Sequence, residues 1–486
     1  MSPSLILLCV TAYSVLLFYV VWRTSRNADN ESYFIGNKSS KWYLVAYGMI
    51  GASLSGVTFM SVPGLVGPSH FTYMMVVFGY LIGYTVIANV LLPTYYKMNL
   101  TSIYSYLESR LGFWSYKTGA FYFILSRAIG ASFRLFIVVN VLQTFVFDSW
   151  GIPFWVTVAT FIFLILLYTY KGGVKTIVWT DTLQTTFMLL AVILSVVLIF
   201  NETGLSFSNI ISKITDEGYT QMVNNDWRAK SFYLKHFFGG IFIAIAMTGL
   251  DQEMMQKNIS VKTLKDSQKN MYIFSIVLVF INLLFLFLGA LLYQFAHAKG
   301  IAIPPPGKED NLFPLIALNY LGIAAGVFFI IGLISAAYPS ADGALTALTS
   351  SFCIDFLGLK KKNWSEKKQK NVRYTVHISF AILLLLLIVI FRIINDEAVI
   401  SKLFTIAGYT YGPLLGLFSF GLITGRSLHD RWVPAICMLS PFICYFLNEH
   451  SIHWFNGYKF GFELLILNGF LTFLGLLLIS IKKKPI

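Results

Sequence analysis

Two aspartates sit where aspartates are costly. The stretch SAAYPSADGALTALTSSF, residues 335–352, closes an apolar run and sets Asp342 among small and hydroxyl side chains. A second carboxylate, Asp181, lies in GGVKTIVWTDTLQ, several residues into another apolar run. In hydrocarbon a carboxylate costs about 2.5–3.5 kcal/mol on insertion scales, so it persists where something pairs with it. The pairing group is a cation, a proton or a basic side chain. Arg127 and Arg134 are the basic candidates, and being seven residues apart they lie near one helix face. Two adjacent carboxylates also favour a shared proton, which competes with a metal cation.

These residues belong to a membrane protein. Of 486 residues 57% are hydrophobic and 12% charged, against about a quarter charged in soluble domains. Apolar stretches of spanning length, about 20 residues, recur at 2–24, 42–66, 71–97, 115–147, 152–169, 175–201, 232–256, 269–297, 314–355, 372–392, 396–425, 430–448 and 456–481. The chain therefore reads as one all-α transmembrane domain, 1–486, of about 13 helices. The first segment lacks a basic leader and a small-residue cleavage signal, and reads as a retained helix.

The net charge of +14 does not point to nucleic acid, because the basic residues cluster in short loops between apolar segments. One set of loops holds Arg23, Arg26, Lys38, Lys41, Lys97, Arg110, Lys117, Lys171, Lys175, Lys257 to Lys269, the KKKNWSEKKQK run, Arg426, Arg431 and the terminal lysines. The opposite loops hold far fewer. Positive loops face the cytoplasm, which places the N-terminus outside and, with an odd helix count, the C-terminus inside a cell membrane. Cys9, Cys353, Cys437 and Cys444 lie in or beside apolar segments without metal-ligand spacing and read as packing residues. YKGGVKT lacks the spacer of a phosphate-binding loop, and no hydrolase triad or His/Cys cluster is legible. Neither ATP hydrolysis nor an enzyme is expected.

The elements that must position chemistry are two interrupted helices. LVAYGMIGASLSGVTFMSVPGL in the second segment and FFGGIFIAIAMTGLDQE in the seventh are both broken by Gly and small hydroxyl residues. Small residues also serve close helix packing, but five segments separate the two starts. Paired broken helices in corresponding positions point to a secondary transporter with a midplane site, where unwound carbonyls hold a cation.

Three ordered stretches, YTYKGGVKTIVWTDTLQ, MTGLDQEMMQKNIS and YGPLLGLFSFG, resemble hallmarks of the sodium:solute symporter family, relatives of the sodium/glucose and sodium/sialic acid cotransporters. The resemblance covers roughly residues 5–425. It implies a leucine-transporter-like five-plus-five inverted repeat, 42–201 and 232–425, with peripheral helices in 1–41 and 426–486. It also implies a first sodium site from carbonyls at Gly51 and Leu54 with Ala336, Pro339 and Ser340 on the ninth segment. Where the family pattern has two adjacent hydroxyls this chain has Pro339 and Ser340, so one ligand is altered. Asp181 matches the aspartate of a second sodium site found in some relatives, and Asp342 and Gly343 stand where those relatives have serines. The resemblance thus gives Asp342 a bound cation as its partner.

Substrate contacts are expected between the broken helices, from Ser53, Thr58 and Phe59, from Phe78 or Tyr80, from Arg134, and from Ala244, Met247 and Thr248. An arginine facing a midplane cavity favours a carboxylate through a bidentate contact; anchoring Asp181 or reaching a water-filled rim are the structural uses that compete with it. The expected function is sodium-coupled import of a small organic solute, a sugar or an organic acid such as a sialic acid, by alternating access and as a monomer. Proton coupling through the same acidic pair, and a passive facilitator insensitive to sodium, are the alternatives. A sensor would need a signalling domain, and none is legible.

Overall fold

The computed structural model describes residues 2–24, 40–204, 206–394 and 399–481, and within them every side chain except those of 170–175 and 360. Of the basic residues used for orientation, Arg26, Lys38 and the terminal lysines lie outside the described residues, as do the side chains of Lys171, Lys175 and Lys360. Among the described residues the only strands are a two-residue antiparallel pair, Ser427 opposite Ile481 and Leu428 opposite Ser480. A lone bridge joins Ser40 to Val261; helices make up nearly all of the rest.

The helices that matter are α1 (Pro3–Thr24), α2 (Trp42–Ser53), α3 (Gly56–Ser69), α4 (Tyr73–Val86), α5 (Phe113–Leu142), α6 (Phe154–Thr203), α7 (Tyr233–Ala244), α8 (Gln252–Ile259) and α9 (Leu264–Lys299), followed by α10 (Gly322–Ser351), α11 (Glu366–Ile394), α12 (Val399–Ile423), α13 (Val433–Trp454) and α14 (Leu464–Leu478). Among the described residues nine helical stretches are long and apolar enough to cross a membrane, or ten if the bent pair Tyr233–Gly249 and Gln252–Ile259 is one span. Phe154–Thr169 and Leu464–Leu478 are shorter apolar helices. Lipid-facing surface is visible in the sequence spacing of α11, where Ile382, Leu386, Ile390 and Ile393 are all exposed on one stripe.

Two breaks organise the interior. Between α2 and α3 the backbone leaves the helix at Leu54 (φ −86°, ψ 82°) and is extended at Ser55 (φ −80°, ψ 178°). Small hydroxyl residues compete with helical bonding through their own side chains, which is why this apolar stretch yields here. The second break follows a wide turn at Ile245–Gly249. Asp251 is extended (φ −100°, ψ 123°) and its carboxylate accepts the Glu253 and Met254 amides at 2.9 and 3.2 Å, capping α8. The two parts meet at 66°. Carbonyls released by this break do not go unsatisfied: the Tyr95 hydroxyl donates to Gly249 O and the Tyr104 hydroxyl to Leu250 O, each at 2.9 Å.

At the centre stands α10, buried along Leu333–Ser351 and packed on α6, α5 and α2. Ala336, Ala337, Ser340, Ala341, Gly343 and Ala344 leave little side chain between it and its neighbours, which permits that close approach. The helix continues through Pro339. α7 packs on α4, and α12 on α5 and α14.

Candidate functional site

A cavity opens between the two breaks. Ser53, Leu54 and Thr58 line it from the first, Ala244, Met247 and Thr248 from the second, Tyr73, Tyr80 and Tyr84 from α4, and Arg127 and Arg134 from α5. Leu403 and Phe404 of α12 close another side. Its free volume is about 80 Å³, room for several waters at roughly 10–15 Å³ each. Tyr84 faces both Thr248 and Ser53, so one phenol looks onto both breaks. The Tyr73 and Tyr80 hydroxyls lie 3.2 Å apart.

Seven of the expected substrate residues therefore meet at this cavity: Ser53, Thr58, Tyr80, Arg134, Ala244, Met247 and Thr248. Two do not. Phe59 is fully buried in a ring cluster, 5.2 Å from Phe313, 5.8 Å from Phe329 and 6.2 Å from Phe285; one residue on from Thr58, it is turned about 100° away. Phe78 packs against the apolar core. It lies about 200° round the helix from Tyr80, whereas Tyr73, Tyr80 and Tyr84, spaced seven and four, share the cavity face.

The two arginines differ in what holds them. Arg127 Nη2 is paired with Glu253, and its Nη1 lies 3.8 Å from Asp251 Oδ2. Asp251 is held in turn by the Tyr411 hydroxyl, which donates at 2.9 Å. Arg134 forms no ion pair among the described residues, and its Nε is buried without a hydrogen-bond partner. Of the two cavity arginines, Arg134 is the one without an ion pair among the described residues, with Asp251 in electrostatic reach.

Beside the first break, the last four carbonyls of α2, from Gly51 to Leu54, have no partner within their own helix. On α10, Ala336, Pro339 and Ser340 are fully buried, and the Ser340 hydroxyl donates to Ala336 O at 3.4 Å. These two oxygens, expected in one cation shell, thus stand next to each other.

The acidic pair is arranged differently from the expectation. Asp181 is paired with neither arginine: Lys257 Nζ lies 2.7 Å from its Oδ2. The same ammonium is 3.2 Å from Glu253 Oε1. Lys257, assigned above to a cytoplasmic loop, is 97% buried because α8 turns back into the protein after the second break. Asp342 accepts the Tyr168 hydroxyl at 3.0 Å and the Gly343 amide at 2.5 Å, within electrostatic reach of Asp181 and Lys257. A side chain on Gly343 would meet the Glu253 carboxylate, which Arg127 and Lys257 hold in place. The roles of Asp251, Glu253 and Lys257 are not among the sequence expectations, although the i, i+4 spacing of Glu253 and Lys257 beside a helix break was a usable signal.

Over 429 residues the chain is 23% identical to the sodium/sialic acid symporter SiaT of Proteus mirabilis, covering 85% of each chain. It is 25% identical over 414 residues to the mouse sodium-coupled monocarboxylate transporter 1, covering 83% of this chain and 66% of that one. A solved sodium-coupled sialic acid symporter, substrate-bound and outward-open, superposes with a TM-score of 0.83 at 20% identity over 97% of both chains, a likeness of fold. The model of the sodium:solute symporter family matches residues 33–428. The chain belongs to the sodium:solute symporter family.

Proposed function

We propose that this protein is a sodium-coupled symporter that imports a small organic anion by alternating access, with Arg134 as the counter-ion of the substrate carboxylate. The observation that carries the substrate class is the unpaired Arg134 in the cavity between the two breaks. A guanidinium in such a place matches a carboxylate through two parallel hydrogen bonds. Tyr73, Tyr80, Tyr84 and Thr248 supply hydroxyls for the rest of a polar solute. Two relatives, a sodium/sialic acid symporter and a sodium-coupled monocarboxylate transporter, carry carboxylic acids.

Sodium is the coupling ion in this reading. The Gly51 and Leu54 carbonyls at the end of α2, and the Ala336 carbonyl and Ser340 hydroxyl on the neighbouring α10, supply the oxygens, with Pro339 replacing a second hydroxyl. A cation there holds the broken helix against α10 and so favours the state in which the cavity between the breaks is formed. Substrate and sodium then bind with mutual benefit, because each stabilises the arrangement the other needs.

Around this site we place thirteen membrane crossings, the broken helices counting as one crossing each, in two inverted repeats, 42–201 and 232–425. The chain functions as a monomer in the cell membrane with its N-terminus outside and C-terminus in the cytoplasm, and it is not an enzyme. A thermal-shift screen of the purified protein tests the reading. A small carboxylate should raise the melting temperature in sodium and not in potassium, since a ligand that binds the native state stabilises it by mass action. Stabilisation by neutral sugars alone would remove Arg134 from its role.

A further inference from the structure

The acidic pair offers a place for a second cation, and the structure fills it from within. Lys257 Nζ lies 2.7 Å from Asp181 Oδ2 and 3.2 Å from Glu253 Oε1, with Asp342 in electrostatic reach. All four side chains are buried. An ammonium is close in charge and hydrogen-bonding demand to a small hydrated cation, and here it lies within ion-pair distance of two carboxylates, those of Asp181 and Glu253. The fit also depends on Gly343. Any side chain there would meet the Glu253 carboxylate, so the missing side chain admits the Glu253 and Lys257 pair to the flank of Asp342.

We propose that Lys257 is a tethered cation that takes the place of a second coupling ion between Asp181 and Asp342, so that the transporter binds one sodium ion per cycle. The inference rests on the reading of the chain as a sodium-coupled symporter. A tethered ammonium supplies one positive charge to the buried carboxylates in every cycle but is never released to the cytoplasm. It therefore adds nothing to the electrical driving force, whereas a second sodium would add about 2.3 kcal/mol per 100 mV. With a monoanionic substrate and one sodium ion, the cycle carries no net charge.

The test is the sodium count of the full-length purified protein, measured as radiolabelled sodium bound per protein at saturation and as the Hill coefficient of sodium-dependent substrate binding. The wild type should bind one ion, and Lys257→Gln, which removes the ammonium, should bind two, with a correspondingly steeper sodium dependence. Two ions in the wild type would overturn the proposal and leave sodium coupling standing. No sodium binding at all would overturn both. A folded Lys257→Gln that still binds one ion would also overturn it. If Lys257→Gln does not fold, the wild-type count decides, one ion supporting and two contradicting, and Lys257→Arg, which keeps a cation between the carboxylates, should fold and bind one.

Discussion

Lys257 on α8 and Asp181 on α6 form a buried ion pair of 2.7 Å, their side chains 3% and 0% exposed. The pair joins the second half of a broken helix to the segment that carries the signature aspartate. Desolvating both charges offsets much of their attraction, so such a pair is better understood as a fixed arrangement than as a large source of stability. Removing one partner alone leaves an uncompensated charge. Through Glu253 the arrangement continues to Arg127 and Asp251, so each of the two basic side chains, Arg127 and Lys257, has two carboxylates within ion-pair distance. Arg134 is outside that network.

That contrast gives the first prediction. Arg134→Gln should raise the KM for a carboxylate substrate by roughly 10- to 100-fold, since a charged hydrogen-bonded contact contributes about 1.5–3 kcal/mol. Arg134→Lys should recover only part of this, because an ammonium cannot make the forked contact. Uptake kinetics in proteoliposomes measure both. An unchanged KM in Arg134→Gln would place the carboxylate elsewhere.

Ser340 carries the second prediction. Ser340→Ala deletes one oxygen of the proposed sodium shell, and the half-saturating sodium concentration should rise about 2- to 10-fold, the equivalent of one neutral ligand contact of about 0.5–1.5 kcal/mol. The defect should shrink at high sodium. A loss of rate that sodium does not relieve would argue for a packing role on α10.

Gly343→Ala should destabilise the protein by about 1–3 kcal/mol, the usual range for overpacking a filled interior. The added methyl meets the Glu253 carboxylate. Thermal unfolding in detergent reads the loss. Wild-type stability in the variant would mean that Glu253 sits elsewhere and that α8 is free of α10.

Asp310, in the turn Glu309–Asn311 outside the spans, predicts a pH dependence. Its carboxylate accepts the Val399 amide at 3.0 Å, and burial pushes its pKa up from 3.8 to about 6. The folded state thus binds the proton more tightly than the unfolded chain. The stabilisation is complete below about pH 4 and is lost as pH rises through 6. Asp310→Asn, neutral at every pH, should flatten this part of the profile. The difference in melting temperature between the variant and the wild type should grow by a few degrees from pH 5 to pH 7, in favour of the variant. A constant difference would contradict the shift.

The breaks were legible because their causes are local: Gly51, Ser53, Ser55 and Gly56 weaken one apolar helix and Thr248 and Gly249 the other, whereas the Asp251 cap that fixes the second break was not read. The cavity face of α4 was half legible. Tyr80 was named, but Tyr73 and Tyr84 lie on the same stripe, and only the packing of α7 on α4 selects that stripe over the one bearing Phe78. Phe59 failed for a related reason, since a one-residue step decides between a cavity and a ring cluster. Lys257 was misread because charge counting treats a lysine after an apolar segment as a loop residue. Nothing in the count records that the chain turns 66° at the break and carries that lysine back inside.

The most direct measurement is uptake of a radiolabelled small carboxylate into proteoliposomes holding the purified protein, driven by an inward sodium gradient. Accumulation above the external concentration is expected with sodium, none with an equal potassium gradient, and collapse of accumulation when the sodium gradient is dissipated. Accumulation driven equally well by a proton gradient without sodium, or equilibration that ignores sodium, would contradict this expectation.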